Sequence, residues 1–493
     1  MNRALRRISI AILAMFLLLL ININYLQAFE PASLADKPGN SRAFYASQND
    51  NERGSIVTSD GVTIAGSRPS ANPNDSIKYQ RYYTNGPVYA PVTGYDTLFS
   101  QTGIEGTENS LLSGSNSALT VRNFIDLLTG KPRKGATVTL TINSRAQIAA
   151  YNALAALGKP GGVVAIDPRT GQILALATYP SYDPSVLATH DGKQLNTVDK
   201  ALLENKSQPL LNRALQETFP PGSTFKIVTS SALLTQNPGV TPQTNVASPT
   251  RLTLPQTTHV LTNDNGLPCG DGSGQAPLLT AFAQSCDTTF AQIGETLGGT
   301  VLNAMASKFG MNNPGLLIPL GVAQSNYVVP PSQALTAFSA IGQFSDTVTP
   351  LQEAMFAAAI ANGGTLMRPY LVQQVIASDL STVQTMSQSV LDQPVSATVA
   401  SEVAQMMLAV VQQPDGTAAQ YNASAVGVQI AGKTGTAQNG VNNSNLNDAA
   451  FSCFAPFGNP QIAVGVIIQG GGFGAVAAAP IAVQVIKAFL RIP

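Results

Sequence analysis

The most informative segment of this protein reads Phe219-Pro-Pro-Gly-Ser-Thr-Phe-Lys-Ile-Val-Thr-Ser-Ser-Ala-Leu-Leu234. Its Pro-Pro-Gly sequence ends any preceding helix and allows a sharp turn. The apolar residues that follow predict a largely buried helix, which opens at Ser223 and ends before Pro238. Ser223 and Lys226 would then lie one turn apart on the same face of that helix.

A serine and a lysine at this spacing can form a nucleophile and its base. A serine hydroxyl is a weak nucleophile unless a neighbouring base accepts its proton. A lysine can be that base when burial or a second cation lowers its pKa. The alternative is an N-cap serine beside a lysine whose ammonium reaches solvent, and this is the commoner situation for an isolated pair. The rest of the chain must therefore decide between the two.

The composition indicates a large folded protein. The chain has 493 residues, of which 11% are charged and 44% are hydrophobic. This length predicts more than one domain, and this composition predicts an extensive core. The 27 basic and 27 acidic side chains balance, so the net charge gives no support to nucleic-acid binding.

The N-terminus has the pattern of a membrane anchor. Three arginines within the first seven residues precede a stretch without charged residues that continues to Glu30. A bilayer requires about 20 apolar residues, and a basic flank stays in the cytoplasm. We therefore predict a cytoplasmic tail at 1–7, a transmembrane signal anchor at 8–29 and a single-pass plasma membrane protein whose remaining chain is extracytoplasmic. The alternative is a cleavable signal peptide, although no clear cleavage site follows.

Residues 30–140 are polar and rich in Asn, Ser, Thr, Gly and Tyr. A hairpin is predicted between Glu52 and Ala65, with its turn at Ser59-Asp60-Gly61, and Gly103 to Glu108 form a compact turn. We interpret this region as an extended, β-rich stalk or dimerisation-type module with little core of its own.

Residues 141–493 are predicted to form an α+β domain. Between about 200 and 420 the chain is rich in alanine and mostly helical in pattern. Five runs are typical of strands, namely residues 162–167, 172–177, 426–436, 451–457 and 461–469. Strands at both ends of a helical region predict one five-stranded antiparallel sheet with helices on both faces.

Two further motifs carry chemistry. Ser285-Cys-Asp287 lies before a predicted helix, where the hydroxyl could relay a proton, although Ser and Asp are also favoured N-caps. Lys433-Thr-Gly-Thr436 lies at the end of a predicted strand. There Gly435 would permit close approach of a substrate backbone, and the lysine and two threonines could bind a carboxylate.

Together the three motifs are typical of penicillin-binding proteins and the related β-lactamases. They occur in the order S-x-x-K, S-x-D and K-T-G, at 223, 285 and 433. The resemblance extends to five other segments: Arg53-Gly-Ser-Ile56, Gly103-Ile-Glu105, residues 163–175, Phe219-Pro-Pro-Gly222 and Thr349-Pro-Leu-Gln352. From Arg53 onward the chain resembles the class B, monofunctional penicillin-binding proteins, and most of all the branch called penicillin-binding protein A.

This resemblance implies a peptidoglycan D,D-transpeptidase that uses no cofactor. Ser223 would attack the penultimate D-Ala of a stem peptide, with Lys226 as the base, kept neutral or sharing its proton through Lys433 and Ser285. Ser285 would pass the proton to the leaving group. The backbone N–H groups of Ser223 and Thr436 would form the oxyanion hole, and Thr434 and Thr436 would hold the substrate carboxylate.

The same resemblance implies the partners. They are stem peptides ending in D-Ala-D-Ala, β-lactams that acylate the serine, the membrane, a membrane glycan polymerase, and proteins of cell division or elongation. Two alternatives use the same fold: a D,D-carboxypeptidase or β-lactamase, and a receptor that binds β-lactams or cell-wall fragments without turnover. The anchor and stalk argue against a free β-lactamase, and the intact motifs argue against an inactive site.

The chain departs from the family pattern at Asp287, where the family usually has Asn. An ionised Asp accepts hydrogen bonds but cannot donate them, so it could pair with Lys226 or Lys433 and raise the pKa of that lysine. The chain also lacks any Trp. Its two histidines, His190 and His259, lie far from the motifs, so we expect neither a Ser-His-Asp triad nor a metal site.

Three cysteines are present, Cys269, Cys286 and Cys453. Outside the membrane a disulfide can form. We predict a bridge between Cys269 and Cys286, which would tether the segment before the middle motif, and buried free thiols are the alternative.

Overall fold

The computed structural model describes residues 51–71, 77–119, 134–316, 318–438 and 446–493, together with residues 7, 9–10, 12–20 and 22. Much of the predicted tail and anchor, and the first part of the predicted stalk to residue 50, lie outside these residues. Residues 12–20 are helical, and their large apolar side chains are exposed. Within the described parts of the chain, no helix has the length and apolar character needed to cross a membrane.

A five-stranded antiparallel sheet forms the centre of the protein, which confirms the predicted sheet. Its strands stand in the order β15-β16-β17-β5-β6. Their bounds are β5 Gly161–Ile166, β6 Ile173–Tyr179, β15 Ala431–Ala437, β16 Asp448–Ala455 and β17 Ile462–Ile468. The strand predicted at 426–436 is shorter than expected, because residues Ala423–Val426 form a helical turn that ends at Gly427 with φ +82°.

Helices cover both faces of this sheet. Helix α12 (Pro350–Ala361) packs on strands β5, β16 and β17, and a side chain at Gly465 would collide with the backbone of Pro350 and Ala354. Helices α4 (Ser144–Leu157) and α16 (Ala479–Leu490) pack on each other and on strands β6 and β17. Because both faces are covered, strands β5, β16 and β17 are buried along their whole length.

The remaining helices surround the site described below. They are α1 Gly86–Thr93, α2 Gly103–Thr107, α3 Asn109–Leu112, α5 Gly192–Leu203, α6 Arg213–Gln216, α7 Lys226–Gln236, α8 Leu278–Ala283, α9 Asp287–Leu297, α10 Gly299–Lys308, α11 Gln333–Ser339, α13 Ala397–Gln412, α14 Ala423–Val426 and α15 Gly474–Ala477. Short 3₁₀ turns occur at Ser117–Leu119, Pro184–Val186, Gly222–Phe225, Asp264–Gly266 and Ala419–Tyr421.

A second sheet joins the two halves of the chain. Its order is β13-β12-β4-β1-β2-β3, with β1 Ile56–Val57, β2 Thr63–Pro69, β3 Tyr79–Tyr83, β4 Thr137–Leu140, β12 Val372–Ile376 and β13 Thr382–Thr385. The predicted hairpin is present, since β1 and β2 pair antiparallel. Strand β4 also pairs with β12, so the N-terminal strands continue into a sheet that includes the later part of the chain.

The prediction that residues 30–140 have little core is wrong for their described part. Ile56, Ile64 and Ile104 are completely buried and belong to the same apolar cluster as the central sheet. Glu105 is completely buried as well, and it accepts hydrogen bonds from Arg53 Nε at 2.7 Å and Arg81 Nε at 2.6 Å. Burial alone would raise the pKa of the Glu105 carboxyl, but the charges of Arg81 and Arg53 lower it overall.

The region predicted to be mostly helical also contains eight short strands, β7 to β14. Besides β12 and β13, these are β7 Asn245–Ala247, β8 Arg251–Thr253, β9 Val260–Thr262, β10 Gln275–Pro277, β11 Leu366–Met367 and β14 Val390–Asp392. They form two-stranded ribbons at β7/β10, β8/β9 and β11/β14. Strands of two or three residues leave too short an alternation to be recognised in a sequence.

Candidate active site

Ser223 lies in a tight turn beside the central sheet. The 3₁₀ turn Gly222–Phe225 leads directly into helix α7, so the predicted helix begins one residue before Ser223 in a tighter form. Gly222 has φ +55°, and a Cβ there would lie only 2.8 Å from the Thr436 carbonyl oxygen. Glycine is therefore required both by the conformation and by the close approach to the strand. Ser223 itself is partly exposed and faces a cleft.

Lys226 is completely buried, and its ammonium has three oxygen neighbours. Nζ donates to the Ser285 carbonyl oxygen at 2.7 Å, to Asp287 Oδ1 at 2.6 Å and to Ser285 Oγ at 3.2 Å. It also lies 5.4 Å from the centre of the Phe290 ring. Of the two lysines that Asp287 could pair with, the structure therefore selects Lys226.

Ser285 connects the second motif to both lysines. It lies between helices α8 and α9 with φ +62°, a left-handed conformation that costs a non-glycine residue about 1 kcal/mol. Unusual backbone conformations of this kind concentrate at functional sites. The next residue, Cys286, forms a disulfide with Cys269, while Cys453 is a free, buried cysteine on strand β16. The bridge ties the segment before α8 to the motif.

Lys433 is the second buried lysine. Its Nζ lies 2.8 Å from Ser285 Oγ and donates to the Thr434 carbonyl oxygen at 3.1 Å. Burial, followed by the positive charge of Lys226, lowers the pKa of Lys433 well below its usual range, while the charges of Asp287 and Asp264 oppose this shift. The Ser285 hydroxyl thus stands between a lysine paired with a carboxylate and a lysine without such a pair.

The third motif closes the cleft from the strand side. Thr434 Oγ1 lies 2.7 Å from Thr417 Oγ1, and Thr436 is partly exposed to the cleft. A Cβ at Gly435 would lie 2.8 Å from the Pro221 carbonyl oxygen. The close approach that this glycine permits is therefore made by the protein's own turn, rather than by a substrate as the sequence suggested.

The three motifs converge on one cleft of about 510 Å³. Ser223, Ser285, Asp287, Thr434 and Thr436 line it, and the two lysines lie buried behind Ser285. Sequence reasoning did not identify several other lining residues, including Asp264, Gln343, Asp415, Thr417 and Phe473. None belongs to a motif quoted above, and each reaches the cleft through loop geometry. The described residues contain no cluster of three potential metal ligands.

Two family models match the chain. One describes a penicillin-binding protein transpeptidase domain and matches residues 161–487. The other describes a penicillin-binding protein A dimerisation domain and matches residues 53–138. Together they cover most of the described chain.

Individual relatives match along nearly the whole length. The chain is 40% identical to the peptidoglycan D,D-transpeptidase PbpA of Mycolicibacterium smegmatis, with 100% of this chain and 99% of that protein covered. Two solved structures of penicillin-binding protein A from M. tuberculosis are similar, one a ceftriaxone and one a penicillin G acyl-enzyme complex. Their TM-scores are 0.85 and 0.83 and their identities 37% and 38%; they cover 90% and 89% of this chain, and this chain covers 99% and 100% of theirs.

Proposed function

Since this chain belongs to the penicillin-binding protein family, we propose that it is a peptidoglycan D,D-transpeptidase that works through an acylated Ser223. Its substrates are stem peptides ending in D-Ala-D-Ala, and β-lactams compete by acylating the same serine. The observation that carries this proposal is the Ser285 hydroxyl, which lies within hydrogen-bonding distance of both Lys226 and Lys433 beside the turn that bears Ser223.

Acylation requires a base for the Ser223 proton. Lys226, one turn away, is that base, but beside Asp287 it rests as an ammonium and must first lose a proton. Ser285 provides the route: its hydroxyl accepts a proton from Lys226 and passes its own proton to neutral Lys433. Lys226 can then accept the Ser223 proton while Ser223 Oγ bonds to the carbonyl carbon of the penultimate D-Ala.

The negative charge that develops on the substrate oxygen needs donors. The backbone N–H groups of Ser223 and Thr436 are placed for this role by the contact between the Gly222 turn and strand β15. Thr434 and Thr436 bind the terminal carboxylate. When the tetrahedral intermediate collapses, the bond to the terminal D-Ala nitrogen breaks, and Lys433 returns its proton through Ser285 to that nitrogen.

The second half-reaction forms the cross-link. The amine of a neighbouring stem peptide attacks the acyl carbon, Lys226 assists by accepting a proton from the amine, and the Ser223 oxygen leaves with a proton. The products are a new amide bond and free enzyme, so no cofactor is needed.

The surroundings of the enzyme follow from its N-terminal residues. We assign residues 1–7 to the cytoplasm and 8–29 to a membrane anchor, supported by the exposed apolar helix at 12–20. Residues 30–140 then form the module that docks partners, and residues 141–493 form the transpeptidase domain outside the plasma membrane. Its partners are a membrane glycan polymerase and proteins of division or elongation.

Labelling with a fluorescent penicillin tests the proposed chemistry. We expect stable labelling of the wild type and complete loss of labelling in Ser223→Ala, measured in gels after purification in detergent. Thr229→Ala, a buried substitution on the same helix outside the cleft, serves as the control for folding. Rapid release of the label would instead indicate a β-lactamase, and unlabelled wild-type protein would indicate a receptor without turnover.

A further inference from the structure

Glu353 is a buried acid that the mechanism above does not use. It lies in the first turn of helix α12, beneath the central sheet, and its side chain is completely buried. Its Oε2 atom has no hydrogen-bond partner. Burial raises the pKa of Glu353 to about 8, opposed by a hydrogen bond to Thr224. A carboxyl group in such a place is neutral at pH 7.

The hydrogen bonds around Thr224 also require a proton on Glu353. Thr224 Oγ1 lies 2.7 Å from Glu353 Oε1 and 2.8 Å from the Pro221 carbonyl oxygen. A hydroxyl has one proton, and a carbonyl oxygen can only accept. Both contacts are hydrogen bonds only if Thr224 donates to Pro221 and Glu353, as a carboxylic acid, donates to Thr224. An ionised Glu353 would take the Thr224 proton and leave Pro221 without its donor.

Pro221 and Thr224 flank the nucleophile and rest on the strand of the third motif. A Cβ at Gly435 would lie 2.8 Å from the Pro221 oxygen and 3.0 Å from Thr224 Cγ2. The same strand carries Thr436, whose N–H belongs to the proposed oxyanion hole. The distance between the nucleophile and that N–H therefore depends on how this turn is held.

We propose that Glu353 is a positioning residue for Ser223: as a neutral acid it donates to Thr224, Thr224 donates to Pro221, and this chain of hydrogen bonds holds the nucleophile's turn against strand β15. The inference rests on the proposed acylation of Ser223. It adds a proton-dependent support from the core, on the side of the turn opposite the two catalytic lysines.

Other ionisable groups do not account for this behaviour. The elements packed against helix α12 carry Arg213 on α6, Glu402 on α13, and Asp448 and Cys453 on β16. None of them contributes to the shift in the pKa of Glu353, whose causes are burial and the Thr224 hydroxyl alone. The loss of the support at high pH is thus a property of Glu353 itself.

The experiment compares Glu353→Gln with Glu353→Leu in the full chain. Gln keeps a donor toward Thr224 but cannot ionise, whereas Leu has similar volume and no donor. The measurements are the second-order rate constant for acylation by a fluorescent penicillin between pH 6 and 9.5, and the temperature of unfolding. We expect Gln to acylate within about threefold of the wild type at pH 7 and to lose the wild type's decline above pH 8. We expect Leu to acylate at least about tenfold more slowly without a lower unfolding temperature, since small displacements of a reacting group have effects of this size.

A third variant, Thr224→Val, breaks the same chain from its other end and should match Glu353→Leu in acylation rate. It decides the matter if the leucine variant does not fold. Equal acylation rates in all variants, or equal losses in Gln and Leu, would overturn the inference. Unlabelled wild-type protein would instead overturn the proposed function, so the two failures can be told apart.

Discussion

At the scale of single residues, the replacement of Asn by Asp287 sets the charge state of the site. Asp287 holds the Lys226 ammonium at 2.6 Å, so the lysine nearest the nucleophile along the chain is the one that is paired. Lys433 has no carboxylate partner among the described residues, and burial and the Lys226 charge lower its pKa. The proton must therefore move through Ser285 before Lys226 can act as a base.

This charge arrangement predicts the effect of Asp287→Asn on pH dependence. The Asp287 charge raises the pKa of Lys433 and partly opposes the effects of burial and Lys226. Its removal lowers the pKa of Lys433 further, so Lys433 is neutral and able to accept a proton at lower pH. We expect the rising limb of the acylation rate against pH to move down by about one pH unit, a typical effect of a neighbouring charge. An unchanged or upward-moving limb would contradict the proton route through Ser285.

At the scale of elements, a buried ion cluster ties helix α2 to strand β3 and the segment before β1. Glu105 accepts from two guanidinium groups, those of Arg53 and Arg81, and all three side chains are buried. Buried pairs of this kind add little net stability, but removal of one partner leaves the other charge uncompensated. The cluster therefore fixes the geometry of the N-terminal module.

Glu105→Ala should consequently destabilise the protein by about 3–5 kcal/mol, because two buried cations lose their carboxylate. The measurement is thermal unfolding of the full chain in detergent. Lys134→Ala is the matched control, since its 2.7 Å pair with Glu52 is largely exposed and should contribute less than about 1 kcal/mol. Similar losses in the two variants would show that the buried cluster has no special role.

At the scale of the whole molecule, the two halves of the chain share one sheet. Strand β4 pairs with β1 on one side and with β12 on the other, so the N-terminal strands cover an edge that belongs to the later part of the chain. An uncovered edge strand exposes unpaired backbone groups and promotes association. The N-terminal module is thus part of the support of the transpeptidase domain as well as a docking region.

A chain limited to residues 141–493 should therefore behave poorly, because it leaves β12 without its β4 partner. We expect it to aggregate, or to unfold at a lower temperature than the full chain in the same detergent. Light scattering and calorimetry provide the measurements. A monodisperse fragment with the stability of the full chain would show that the shared sheet is dispensable.

Patterns of local origin were predicted well from the sequence. The five strands of the central sheet, the β1–β2 hairpin and the helix after Ser223 all follow from short runs of apolar and turn residues. The short ribbons between 245 and 277, and the core of the N-terminal module, were missed. Both depend on contacts with distant segments, and such contacts leave no periodic signal.

By itself, the sequence determined the family, the three motifs and the order in which they occur, because these are properties of neighbouring residues. Only the tertiary structure decided that Asp287 pairs with Lys226, that Ser285 stands between the two lysines, and that Glu353 lies behind the nucleophile. The physical reason is that burial and pairing of charge depend on groups brought together from far apart along the chain. The identity of each residue was visible from the start, whereas its protonation and its partners arise only from folding.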